Sequence, residues 1–294
     1  MKRLHVWLPL AAALVSVILW SSAFVGIRAA GRTFSPGSLA LGRLTIGSVL
    51  LGGLTLTRPF VRPSRRDVGL LLLAGITWFG VYNLSLNRAE QLVDAGTAAM
   101  LVLIAPLMIL VLAAVFLKEQ PTPNLLLGGV LAFAGVTVIA FATSSGQASL
   151  WGVVLCLAAA LASSIGLVAE KPVLGRVPAL QATWTCCAIG ALCCLPSAPL
   201  LVRQLQAAPL GAIGWLAFLG VFPTSIAFTT WAYALARGTA GRVAATAYLI
   251  SPITIVMSWL MLGEVPSVLA VVGGGLCLVG VYLARRVPSA LKQA

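Results

Sequence analysis

The sequence predicts an all-α polytopic membrane protein, with ten transmembrane helices arranged as two inverted five-helix repeats. Three observations predict it. The 294 residues are 60% hydrophobic and only 9% charged, against about 25% charged in a soluble domain, which is too few to cover a water-facing surface. Apolar runs of about 20 residues, long enough to cross a hydrocarbon core of about 30 Å, recur from end to end, and the mean hydropathy is +1.06. One patterned stretch also occurs twice, once in each half of the chain.

Taken in order, the apolar runs give spans over 6–27, 36–57, 68–88, 95–117, 124–142, 150–169, 179–201, 211–236, 243–262 and 266–284. The first follows Lys2 and Arg3 as a signal peptide would. Its apolar stretch is longer than an h-region of about 7–15 residues, and no clear cleavage site follows, so it is read as a true span. With the N-terminus in the cytoplasm, 14 Lys and Arg residues fall inside and four outside, namely Arg28, Arg32, Arg88 and Arg203. The loop "TRPFVRPSRRD" carries the strongest bias. Cytoplasmic excess of Lys and Arg is the rule for membrane proteins, so both termini are expected to be cytoplasmic. The net charge of +13 then needs no nucleic-acid partner. Six cysteines lie within apolar runs and the one histidine, His5, is near the N-terminus. That is not the clustered Cys/His set a metal wants, so no metal or other cofactor is expected.

The doubled stretch is "LIAPLMILVLAAVFLKEQP" (Leu103 to Pro121) and "LISPITIVMSWLMLGEVP" (Leu249 to Pro266). Each begins Leu-Ile-small-Pro and ends Leu-x-Glu-x-Pro. Gly128, Gly129 and Gly135 follow Glu119 at the spacings at which Gly273, Gly274 and Gly280 follow Glu264. Ala98-Ala99 and Ala244-Ala245 precede the two prolines at about the same distance, and "LWSSAF" from Leu19 matches "LASSIG" from Leu161. Residues 1–145 and 146–294 are therefore two copies of one unit. Five spans per copy is an odd number, so the second copy enters the membrane from the opposite side. Inverted repeats of this kind mark secondary transporters, with substrate near the midplane between the copies.

The "LWSSAFVGIRAA" opening, Pro36 with Arg43 in the second span, and the doubled Pro…Leu-x-Glu-x-Pro…Gly-Gly pattern resemble the EamA family of the drug/metabolite transporter superfamily. The likeness covers nearly the whole chain. It implies two inverted five-helix halves around a central cavity. Spans 1, 3, 4, 6, 8 and 9 would line the path and spans 5 and 10 would be peripheral. It also implies export of amino acids or related small metabolites.

Candidate substrate-binding residues are the polar and aromatic side chains within spans. Trp78 and Tyr82 share a helix face at i and i+4, with Asn83 beside them. Thr224 and Trp231 stand at i and i+7, Tyr248 and Ser251 share a face, and Trp20-Ser21-Ser22 with Ser163-Ser164 occupy the first spans of the two halves. Hydroxyls and amides can hold a small zwitterion while rings hold its apolar part, although Ser and Thr also serve as helix–helix glue. Arg43, seven residues beyond Pro36, lies about 10 Å into the membrane at 1.5 Å per residue. It holds a substrate carboxylate or is satisfied by neighbouring carbonyls. Pro106 and Pro252 each remove a backbone donor and kink their helices, as hinges or as static bends. Glu119 and Glu264 read as interfacial helix ends.

All six acidic residues lie at or near span ends. A carrier of organic cations would want a buried carboxylate, so neutral or zwitterionic solutes are favoured. Whether transport is proton-coupled or facilitated stays open. No nucleophile–base pair is in evidence, so no enzyme is expected. The expectation is an exporter of amino acids, favouring aromatic or bulky apolar ones, working by alternating access in the bacterial inner membrane. Its partners are an amino-acid-like substrate and membrane lipid, with a single chain as the working unit. The alternative is an exporter of drugs or other small neutral metabolites.

Overall fold

The computed structural model describes residues 4–93, 98, 101–143, 149–262 and 267–285. Among them the structure is all-helical. The helices are α1 (Leu4–Ala30), α2 (Pro36–Leu56), α3 (Arg65–Ala89), α4 (Ala105–Phe116), α5 (Pro123–Thr143) and α6 (Leu150–Glu170). They continue as α7 (Ala179–Ala207), α8 (Leu210–Arg237), α9 (Ala240–Met257, continuing to Leu262) and α10 (Val268–Arg285). Among the described residues nine helices are long and apolar enough to cross a membrane, and α4 is shorter. Local chemistry sets several starts. Ser35 accepts the N–H of Ser38 with Pro36 in the first turn of α2, a proline position where no donor is lost. Ser64 and Asp67 form a reciprocal capping box on α3.

The helices pair in a pattern that repeats between the halves. α1 packs on α8 and α9, α6 packs on α3 and α4, α2 meets α7, and α5 meets α10. Asp67 at the start of α3 pairs with Arg176, and Gln181 exchanges two hydrogen bonds with the backbone of Val61. Lys171 at the same end of the bundle donates to the carbonyls of Leu235 and Gly238 where α8 finishes. α3 therefore begins where α8 ends, and the two run in opposite directions. Each contains one π-helical turn, Gly75–Val81 and Gly220–Ile226. At these turns a glycine crosses a neighbouring helix. A Cβ on Gly75 would stand 2.7 Å from the Cβ of Ile189, and one on Gly220 would stand 2.6 Å from the Cβ of Ile46.

Glycines also set the α5–α10 contact. A Cβ on Gly135 would lie 2.6 Å from the carbonyl oxygen of Gly273, and one on Gly273 would lie 2.7 Å from that of Gly135. Small residues allow this approach of backbones within lipid. Gly135→Val is expected to destabilise the protein by about 1–3 kcal/mol, the usual cost of overpacking, read as a lower melting temperature in detergent. Gly53→Ala, where nothing lies within 4 Å, should not lower it.

The sequence led us to expect Pro106 inside a helix running over 95–117. Instead, Leu103 and Ile104 form a turn and α4 begins at Ala105, with Pro106 in its first turn. Pro252 likewise follows a 3₁₀ turn, Thr246–Leu249, in the first turn of a helix beginning at Ile250. A first-turn N–H has no intrahelical partner, so proline is tolerated there without breaking a ladder. The prolines thus start half-helices. Serines bridge to both breaks, Ser164 Oγ to the Ala105 carbonyl and Ser21 Oγ to the Ile250 carbonyl, each at 3.2 Å. Glu119 caps the start of α9, its carboxylate accepting the N–H groups of Ala240 (2.9 Å) and Gly241 (3.5 Å). Its repeat partner Glu264, with Ala99, lies outside the described residues.

Candidate functional site

A central cavity of about 100 Å³ lies among α1, α2, α3, α4, α6, α8 and α9. α3 supplies Trp78, Tyr82 and Leu86 at four-residue steps, a single stripe along the helix. α1 supplies Trp20, Phe24 and Ile27, and α6 supplies Ser163 and Leu167. Pro106 and Ile109 from α4 and Ala247 and Ile250 from α9 place both helix breaks on the wall.

Aromatic rings close one end of the cavity. Phe228 stands 4.4 Å from Phe79, 5.1 Å from Trp78 and 5.3 Å from Trp20 between ring centroids, and Trp20 lies 4.8 Å from Trp231. Tilted and edge-on ring contacts of this kind add stabilisation beyond area burial. The indole N–H of Trp20 is fixed by a 3.2 Å bond to the carbonyl of Pro223. That carbonyl lies within the π-turn of α8. Among the described residues the Trp231 indole N–H has no acceptor. Beyond this floor the bundle is filled by buried Val173, Val177, Leu235, Ala240 and Val243, near the end stitched by Lys171 and Glu119.

Arg43 reaches the cavity from α2 and is 5% exposed. Its Nε–H donates to Thr224 Oγ1 at 3.0 Å, and Thr224 in turn donates to the carbonyl of Leu219, five residues back, at 2.7 Å. A five-residue back-bond is what the π-turn provides. Among the described residues no carboxylate forms an ion pair with Arg43. A buried cation whose fork faces a cavity is built to receive an anion.

Trp20, Arg43, Trp78, Tyr82, Ser163, Trp231 and Pro106 thus come together on one cavity. The other sequence candidates do not line it. Ser21 and Ser164 bond to carbonyls of α9 and α4, and Ser22 to the Leu19 carbonyl. Asn83 donates to the carbonyl of Phe79, and Thr224 supports Arg43. Tyr248 is fully buried, with its ring 6.5 Å from Phe133. Ser251 is buried in α9, and Pro252 packs toward Gly274 of α10. Sequence reasoning missed Phe24, Phe228, Ile27 and Leu167, because an apolar side chain in a span reads the same whether it faces lipid or a cavity.

Ile27 also lines a second chamber of about 170 Å³ beyond the open end, with Arg28, Arg32, Asn87, Glu90 and Gln91 around it. This polar chamber lies at the end of the bundle opposite Lys171 and Asp67, and Ile27 stands between it and the central cavity.

The profile of the EamA-like transporter family matches residues 7–141 and 150–286. A protein of Streptantibioticus cattleyicolor described as a probable terminal-alkyne amino-acid exporter is 37% identical, over 94% of this chain and 92% of its own. An uncharacterized transporter of Bacillus subtilis, YdfC, is 32% identical over 90% of this chain and 86% of its own. A solved crystal structure shares the fold with a TM-score of 0.77 at 21% identity, covering 94% of this chain and 95% of that one.

Proposed function

The chain belongs to the EamA-like transporter family, and we propose that it exports amino acids with bulky apolar or aromatic side chains across the bacterial inner membrane. The observation that carries this reading is Arg43, a buried guanidinium in no ion pair among the described residues, on a cavity otherwise walled mostly by aromatic and aliphatic groups. An α-amino acid matches that asymmetry. Its carboxylate takes the Arg43 fork, and its side chain lies against Trp20, Trp78 and Trp231. The Streptantibioticus relative's description as an exporter of terminal-alkyne amino acids supports the same chemistry.

Alternating access is the mode we assign. The cavity is open toward Arg28 and Glu90 and closed toward Lys171 and Glu119. The closed end carries the greater number of Lys and Arg residues, so it is the cytoplasmic one, and the structure is the outward-open state. Residues 1–145 and 146–294 act as the two units that rock about the site. In the inward-open state Lys171 would leave the α8 carbonyls and Glu119 would leave the start of α9, while the α1 and α3 ends close above the cavity. The π-turns at the glycine crossings are natural places for this change, because a π-turn carries one residue more than the α-helix needs.

A counterflow panel in proteoliposomes tests the substrate class, using labelled phenylalanine, propargylglycine, a hexose and a quaternary ammonium dye. Accumulation of the two amino acids without the sugar or dye is expected. Accumulation of the dye or sugar alone would replace this reading with export of drugs or neutral metabolites.

A further inference from the structure

Among the described residues the mouth chamber holds charged groups in no ion pair and buried acceptors with no donor. On one side stand Arg28 and Arg32, exposed to water and, among the described residues, in no ion pair. On the other side Asn87 is 4% exposed. Its amide nitrogen donates to the carbonyl of Pro36 at 3.1 Å, which leaves its buried Oδ1 with no donor. Glu90 follows one turn after Leu86, at the C-terminal end of α3, and its buried Oε1 also lacks a donor. Two acceptors without donors call for a ligand that donates. A carboxylate at a helix C-terminus faces the negative end of the dipole, which a cation relieves. A lone ammonium would nonetheless meet Arg28 and Arg32, so the pattern of donors and acceptors fits a molecule carrying both charges.

We propose that this chamber is a second amino-acid site, an exit subsite in which Glu90 and the Asn87 carbonyl take the α-ammonium group while Arg28 and Arg32 take the carboxylate. It rests on the reading of the substrate as an amino acid. The chamber encloses about 170 Å³ of its own, beside the roughly 100 Å³ of the central cavity. The stripe Tyr82, Leu86 and Glu90 joins the two along one helix face, about 12 Å from end to end at 1.5 Å per residue. A substrate leaving Arg43 thus meets a second zwitterion-complementary set before it reaches water. Selectivity is then exercised twice, for the side chain at the aromatic floor and for the charge pair at the mouth.

Protons compete at this subsite. Burial pushes the Glu90 carboxyl up to about 8, against the opposing pull of Arg28 and Arg43. Among the described residues, the charged and titratable groups facing it are Arg28 and Arg32 at the end of α1, Arg43 on α2, Tyr82 on α3 and Cys156 on α6. A carboxyl raised in this way is largely protonated at pH 6 and must lose its proton to receive an ammonium. Affinity at the mouth should therefore rise roughly tenfold or more from pH 6 to pH 8.

Equilibrium dialysis of the purified full-length protein with labelled phenylalanine tests the site. Wild type is expected to bind two molecules per chain. Glu90→Gln, which keeps the shape of the side chain, should bind one and lose the pH dependence. Arg43→Gln should also bind one but keep it. Arg32→Gln should weaken the pH-dependent component from the other side of the chamber. One molecule per wild-type chain, unchanged by Glu90→Gln, would overturn the mouth subsite and leave the central-site reading standing. No binding to wild type at all would remove the amino-acid reading and this site with it. Equal binding of phenylethylamine at the Glu90-dependent site would make it an amine site and overturn its zwitterion character.

Discussion

Arg43→Gln is expected to weaken the apparent affinity for amino acids in counterflow by about 10- to 150-fold. That is the equivalent of the roughly 1.5–3 kcal/mol of a hydrogen bond to a charged group. Arg43→Lys should fall between the two, because an ammonium cannot present the two parallel donors of the guanidinium fork. The same change should not lower the melting temperature. Arg43 is buried without a counter-ion, and an uncompensated buried charge is itself destabilising. Lost transport with retained stability would separate a ligand-binding arginine from a structural one. Had Arg43 served the fold alone, through its bond to Thr224, the effects would be reversed, with a lower melting temperature and transport per folded molecule intact.

Lys171→Gln is expected to open the Lys171 end of the bundle, the end we assign to the cytoplasm. Its ammonium ties the end of α6 to the last carbonyls of α8, at Leu235 and Gly238, where a cation also meets the favourable end of the helix dipole. Losing two charge-assisted bonds of about 1.5–3 kcal/mol each is enough to shift a two-state equilibrium by more than 100-fold. The readout is a cysteine at Val243, buried at 6% exposure just beyond the aromatic floor. In inside-out vesicles its reaction with an impermeant thiol reagent should speed up at least tenfold when Lys171 is replaced. An unchanged rate would show that these bonds do not hold the closed end.

Much of this architecture is legible in the sequence, and the reasons are physical. Spans are legible because lipid imposes length and composition together, and the repeat because prolines and glycines recur where backbone geometry demands them. Arg43 is conspicuous because a charge in an apolar run is anomalous. Trp78 and Tyr82 are found by simple four-residue spacing. The failures are equally specific. Thr224 and Trp231, seven apart, promise a common face, yet Thr224 sits in a π-turn that sequence spacing does not reveal, and it turns to Arg43 while Trp231 reaches the cavity. The Ser pairs of "LWSSAF" and "LASSIG" match letter for letter, but the equivalent bonds are made by Ser21 and Ser164, a register one residue away. Trp20 then corresponds to Ser163, and both line the cavity. Glu90 reads as an interfacial carboxylate because it follows a span. Only the fold shows that a turn follows it at Gln91 and Leu92 and that one of its oxygens is buried.

Export as proposed requires substrate to pass through the cavity beside Arg43. Ser163 lines that cavity and its hydroxyl bonds only to its own helix, at Ala160, so Ser163→Cys should fold and transport normally. The decisive measurement is phenylalanine counterflow by this variant before and after treatment with an impermeant thiol reagent from the outside, with wild type as the control for native cysteines. Modification is expected to stop transport in the variant alone, and excess phenylalanine is expected to slow the modification. Full transport after complete modification of Cys at position 163 would contradict passage through this cavity.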